Sequence, residues 1–112
     1  MKTGRKLILN GTPASSGTAK GIARVFLPGD AVSSFKDGEI LVTTLTDPTM
    51  VSAMIKAVAI VTDTGGITSH PAILSREMGI PCVVNTKEGT NKIKDGMIIF
   101  VDGQKGEVYV LD

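Results

Sequence analysis

Five short apolar runs stand out along the chain: Ile40 to Thr44, Val58 to Thr62, Cys82 to Val84, Met97 to Val101 and Val108 to Leu111. They are rich in β-branched residues, which predicts strands. Several are apolar at successive positions rather than at alternate ones, which predicts central strands covered on both faces. Asp37-Gly38, Asp95-Gly96 and Asp102-Gly103 stand beside these runs and read as the turns that end them.

The pattern changes period twice. Asp47-Pro48 offers a capping residue followed by a proline preset for a first helical position, and Met50, Ala53, Met54 and Ala57 then follow helical spacing. A second helix is predicted from Pro71 to about Met78. Leu74 and Met78 lie one turn apart on its buried side, Gly79 serves as a left-handed stop, and Pro81 bars any continuation. The first third of the chain differs: Gly11, Gly17 and Gly21 lead into Ile22 to Leu27, which predicts strands bent at glycines and a second sheet layer. The fold class is therefore α/β.

With 112 residues, 42% of them hydrophobic, the chain has the makings of one compact domain, residues 1–112, with its own core. The net charge is +1 with both signs interspersed, so there is no basic stripe and no nucleic-acid partner is expected. No apolar run approaches the ~20 residues of a membrane span, and the opening residues lack the apolar stretch of a signal peptide. A soluble, cytoplasmic protein is expected. A single cysteine, Cys82, and a single histidine, His70, leave neither an internal disulfide nor a cluster with metal-ligand spacing, and Cys82 reads as an inert core thiol.

Candidate chemistry concentrates in Thr62-Asp63-Thr64-Gly65-Gly66-Ile67-Thr68-Ser69-His70-Pro71, which leaves a strand, crosses a glycine pair and enters a helix. Pro71 restricts the residue before it to extended geometry, so His70 is expected just outside the helix, at or near its cap, with its ring open to solvent. An imidazole with an ordinary pKa of ~6.5 is largely neutral at cytoplasmic pH and carries a lone pair that can attack phosphorus. The amides and positive dipole end of a helix favour an anion there by roughly 0.3–1 kcal/mol. Thr68 and Ser69 add hydroxyls, and Gly65 and Gly66 allow close backbone approach. A histidine before a proline is equally what an ordinary surface or capping residue looks like, and glycine pairs commonly mark plain turns. Arg76, six residues on and well round the helix, reads either as a phosphate ligand or as a solvated residue. Glu77 and Asp63 have no evident partner in the sequence.

The stretch from Gly65 to Pro81 closely resembles the phosphohistidine motif of phosphoenolpyruvate-utilising enzymes, such as phosphoenolpyruvate synthase and pyruvate phosphate dikinase. The similarity extends to Gly11–Phe26, to Asp37–Thr43, and to Asp95-Gly96 through Gly106–Val108. The resemblance implies a swivelling β/β/α domain in which His70 accepts a phosphoryl group. It implies partner domains as well: an ATP-grasp nucleotide site and a (β/α)₈ barrel for phosphoenolpyruvate and pyruvate, both in trans. No cofactor is expected on this chain, with Mg²⁺ and ATP or phosphoenolpyruvate on the partners. Thr68 occupies a position that some members use for regulatory phosphorylation. Pro71 departs from the small residue that the family more often carries, and it removes an amide. The phosphate donors would then be the amides of Ala72 and Ile73 with the Thr68 or Ser69 hydroxyls.

The function expected is that of a phosphocarrier, a phosphotransferase component incomplete on its own. Alternatives from other classes are a non-catalytic interaction or regulatory module that keeps the fold, and a piece of a longer enzyme.

Overall fold

A computed structural model describes residues 5–111. In chain order the elements are β1 (Arg5–Asn10), β2 (Thr12–Ser15), β3 (Thr18–Val25), β4 (Ile40–Thr43), α1 (Val51–Met54), β5 (Ala59–Thr62), α2 (His70–Met78), β6 (Cys82–Val84), α3 (Gly89–Lys92), β7 (Ile98–Asp102) and β8 (Glu107–Leu111). A 3₁₀ turn, Pro48–Met50, leads into α1, with the Asp47 carboxylate accepting from the Thr49 amide at its start.

The strands are joined in the order β1-β8-β7-β3-β4-β5-β6-β2. Strand β3 is the hinge of this arrangement. Its first half, Thr18–Ile22, pairs antiparallel with β7, and its last residues, Ala23–Val25, pair parallel with β4. The hydrogen-bonded ribbon thus folds into two layers: β1, β8, β7 and the start of β3 on one side, and β3, β4, β5, β6 and β2 on the other. This is the second sheet layer expected from the first third of the chain. It differs in one respect, since β2 leaves that layer and pairs with β6 on the far edge.

Two apolar cores follow. Ile40, Val42, Ala59, Val61 and Val83 pack with Leu9, Ile99, Val101 and Val108 between the two strand layers. Leu41, Ile60, Cys82 and Val84, the intervening residues of the same strands, pack instead with Met50, Ala53, Met54 and Ala72 on the helical side. Because side chains alternate across a strand, a strand buried on both faces must be apolar at every position, as β4, β5 and β6 largely are. The layers run β/β/α, the architecture of a swivelling phosphohistidine domain.

Several local expectations shift. Met97 and Val58 lie just outside β7 and β5, and Asp102 and Glu107 extend their strands. Helix α2 begins at His70, not Pro71, because the Ile73 amide already donates to the Ser69 carbonyl at 3.0 Å; Ser69, extended at φ −71°, ψ 161°, is the residue outside it. The fully buried side of α2 is Pro71, Ala72 and Ser75, with Leu74 only partly covered against the core. Gly79 closes the helix in the left-handed conformation, φ 75°. Helix α3 is a single turn, too short to leave a periodic signal.

Candidate functional site

The strand ends β4 and β5 carry threonines whose hydroxyls tie down the loops that follow. Thr43 donates to the Leu45 carbonyl at 3.0 Å and Thr62 to the Thr64 carbonyl at 2.6 Å, while Thr64 donates through its amide and its hydroxyl to the Thr44 carbonyl. These bonds set the loop after β5 beside the loop after β4. At Gly65 the chain takes φ +107°, a conformation L-residues rarely adopt, and turns back toward α2. Ser69 closes the turn, its amide and its hydroxyl both donating to the Gly66 carbonyl, at 3.0 and 2.7 Å.

His70 follows at the first position of α2, with an exposed side chain. Its Nδ1 lies 3.2 Å from the Thr46 hydroxyl. A hydroxyl can donate or accept, so this contact holds the ring's orientation and occupies Nδ1, while among the described residues Nε2 has no hydrogen-bond partner. The ring borders two hollows. One, of about 140 Å³, is lined by Leu45, Thr46, Thr64, Gly65, Ser69 and Pro71; the other, of about 340 Å³, by Thr46, Asp47, Pro48 and Val51. Among the described residues, neither is lined by a lysine or an arginine.

The surrounding candidates fall into two groups. Gly65, Gly66, Thr68 and Ser69 form the approach to the histidine, and Thr68 is exposed. The donor set expected from Pro71 is corrected. The Ile73 amide is engaged with Ser69, and the Ser69 hydroxyl is engaged with Gly66, so neither is free for a phosphate. Among the described residues the amides of His70 and Ala72 are the first-turn donors left without an acceptor. Arg76 does not reach the imidazole: its guanidinium donates to the carbonyls of Ala14 and Ile67, both at 2.7 Å.

Two residues invisible as partners in the sequence gain roles here, while Cys82 is the buried core thiol its apolar setting implies. Thr46, 24 residues from His70, is the partner that holds its ring. Asp63 is buried and accepts from the Thr90 amide at 3.0 Å and the Thr90 hydroxyl at 2.6 Å, fastening α3 under the site loop. Cys82 is fully buried on β6, where burial pushes its thiol up to about 11; the nearby Ser75 hydroxyl and the Arg76 charge pull the other way. Among the described residues no group of histidine, cysteine and carboxylate side chains is arranged to hold a metal ion, and no helix is long and apolar enough to cross a membrane.

A two-layer sheet backed by helices defines the swivelling-domain class of fold, and comparison with known proteins agrees. The family model of the mobile domain of PEP-utilising enzymes matches residues 35–106, and the chain belongs to that family. The phosphoenolpyruvate synthase of Pyrococcus furiosus is 55% identical over 104 residues, covering 93% of this chain and 13% of that protein. A probable phosphoenolpyruvate synthase of Archaeoglobus fulgidus is 53% identical over 104 residues, with 93% and 14% covered. Among solved structures, Enzyme I, determined by NMR, superposes with a TM-score of 0.63 at 30% identity over 72% of this chain and 34% of that one. The chain thus corresponds to a small part of much longer relatives.

Proposed function

We propose that this domain is a phosphocarrier in which His70 Nε2 takes a phosphoryl group at one catalytic site and surrenders it at another. The observation that carries this reading is the contact of Nδ1 with Thr46 on an otherwise exposed ring. When Nδ1–H donates to the Thr46 hydroxyl, Nε2 bears the lone pair on a ring whose residue is exposed. Attack of that lone pair on phosphorus forms the N–P bond as the donor's P–O bond breaks, the electron pair leaving with the donor oxygen. Positive charge then develops on the ring, and the Nδ1–H bond to Thr46 strengthens as it does so. In the second transfer the N–P bond breaks and its electron pair returns to Nε2, which restores the starting tautomer.

Among the described residues the hollows beside the ring offer no cation, so charge neutralisation of the moving phosphoryl group falls to the sites visited. Those sites are an ATP-grasp nucleotide domain and a phosphoenolpyruvate/pyruvate barrel, with Mg²⁺ bound there. The relatives carry the matched segment within one longer chain, whereas partners in trans would meet this domain as separate polypeptides. Both arrangements require the same exposed imidazole, and the final acceptor is chosen by the partner.

The test combines the protein with the catalytic domains of a phosphoenolpyruvate synthase lacking its own mobile domain, and supplies Mg²⁺ with ATP or phosphoenolpyruvate. An acid-labile, alkali-stable phosphoryl adduct should form on this chain and disappear in His70→Ala. Labelling that persists in His70→Ala would defeat the proposal.

A further inference from the structure

We propose that Arg76 is a positioning residue for His70, acting through the arch of backbone that precedes the histidine. The inference deepens the carrier reading above and rests on it for its functional meaning, though its structural content does not.

The arch, Gly65 to Ser69, is held at its two ends. Thr64 anchors the beginning to the Thr44 carbonyl, and Ser69 folds the end onto Gly66. Between them Ile67 and Thr68 are exposed, and among the described residues the bond from Arg76 Nη2 to the Ile67 carbonyl, 2.7 Å, is the one hydrogen bond that either of them makes. The other arm of the guanidinium, Nη1, donates at 2.7 Å to the carbonyl of Ala14, 62 residues away in sequence. Ala14 sits where the pairing of β2 with β6 skips a residue, between Pro13 and Ser15. The arginine therefore ties an irregular edge strand and a free arch to the second turn of α2, the helix that begins with His70.

A planar fork with two parallel donor arms suits two carbonyls on different elements, and a lysine's single ammonium does not reproduce that geometry. Arg76 makes no ion pair among the described residues. Its charge is spent on carbonyl oxygens, which explains why it stands in α2 without serving the phosphate. With the Ile67 anchor removed, the arch can move, Ser69 and His70 move with it, and the 3.2 Å contact of Nδ1 with Thr46 is no longer held from both sides.

The experiment reads the ring directly. ¹⁵N NMR of the imidazole is recorded for the wild type, Arg76→Lys and Arg76→Gln, and the rate of His70 phosphorylation is measured with potassium phosphoramidate. This donor needs no partner protein: Nε2 attacks its phosphorus, the P–N bond breaks and ammonia leaves. The wild type should show one dominant tautomer with the proton on Nδ1. Arg76→Gln should show a mixture of both tautomers and at least a several-fold slower phosphorylation, with Arg76→Lys intermediate, at temperatures where circular dichroism shows all three folded. A variant that loses thermal stability but keeps the wild-type ring signals and rate in its folded state overturns the inference, since the arginine is then only structural. If the ring signals move but neither phosphoramidate nor the catalytic domains label the wild type, the positioning role stands and the carrier reading falls.

Discussion

The hydroxyl of Thr46 lies 3.2 Å from Nδ1 of His70, joining the loop after β4 to the first residue of α2. This contact selects which ring nitrogen is free. Thr46→Val keeps the shape of the side chain and removes the hydroxyl. A hydrogen bond of this kind contributes about 0.5–1.5 kcal/mol, so phosphorylation of His70 should slow roughly 2- to 10-fold. Thr46→Ser should retain most of the rate. The product offers a second check: ³¹P NMR of the wild type should show phosphate on Nε2 alone, whereas Thr46→Val should yield a share on Nδ1. Exclusive Nε2 labelling at the wild-type rate in Thr46→Val would remove the hydroxyl from the argument.

What the chain's pattern reveals and what it conceals divide along sequence distance. The unbroken apolar runs around Leu41, Ile60 and Val83 announced strands buried on both faces, because alternation across a strand leaves no polar position when both sides are covered. The capping Asp47 and the left-handed Gly79 were legible for the same local reason. Thr46 with His70, Asp63 with Thr90 and Arg76 with Ala14 were not, since each pairing is created only when the strands come together. The Ile73 amide is not the free first-turn donor that a helix starting at Pro71 would offer, because the helix begins one residue before the proline and that amide is bonded to Ser69.

At Gly65 a side chain would meet a tight contact on an unfavourable backbone. A Cβ there would stand 3.0 Å from the Ser69 hydroxyl and 3.3 Å from its Cβ, at φ +107°. Gly65→Ala should destabilise the domain by about 1–3 kcal/mol and loosen the turn that delivers His70. The fall in Tm should be roughly 4 °C or more. Gly66 has open space where a Cβ would be placed, so Gly66→Ala serves as the control and should change Tm little. Equal Tm values for the two variants would refute the account of the turn.

Asp63 holds α3 by two bonds to Thr90, from a position 8% exposed. Asp63→Ala strips both acceptors and leaves the Thr90 amide and hydroxyl without them. The expected cost is about 1–3 kcal/mol, read from urea denaturation. Hydrogen exchange should localise the loosening to residues 86–92, where the Thr86 amide donates to the Thr62 carbonyl at the end of β5 and the Lys87 amide to the Asp63 carbonyl just beyond it. Uniform loss of protection, with no excess in that segment, would contradict the assignment.

Cys82 makes stability depend on pH above neutrality. Its thiol has an ordinary value of 9.0 and is pushed up to about 11 by burial in the core beneath α2. The folded protein keeps that proton in a range where the unfolded chain releases it, so the unfolded state binds fewer protons and stability falls as pH rises. The contribution is fully present below pH 9 and is lost as pH climbs from 9 toward 11. Over that interval the loss is about 2–3 kcal/mol, at 1.36 kcal/mol per pH unit. Cys82→Ala should be less stable near neutrality because it opens a cavity, yet its stability should decline less steeply above pH 9. Parallel declines in the two proteins, measured by denaturation between pH 8 and 11, would show that the thiol does not titrate with unfolding. The same protection predicts that iodoacetamide modifies Cys82 only at the rate at which the domain opens.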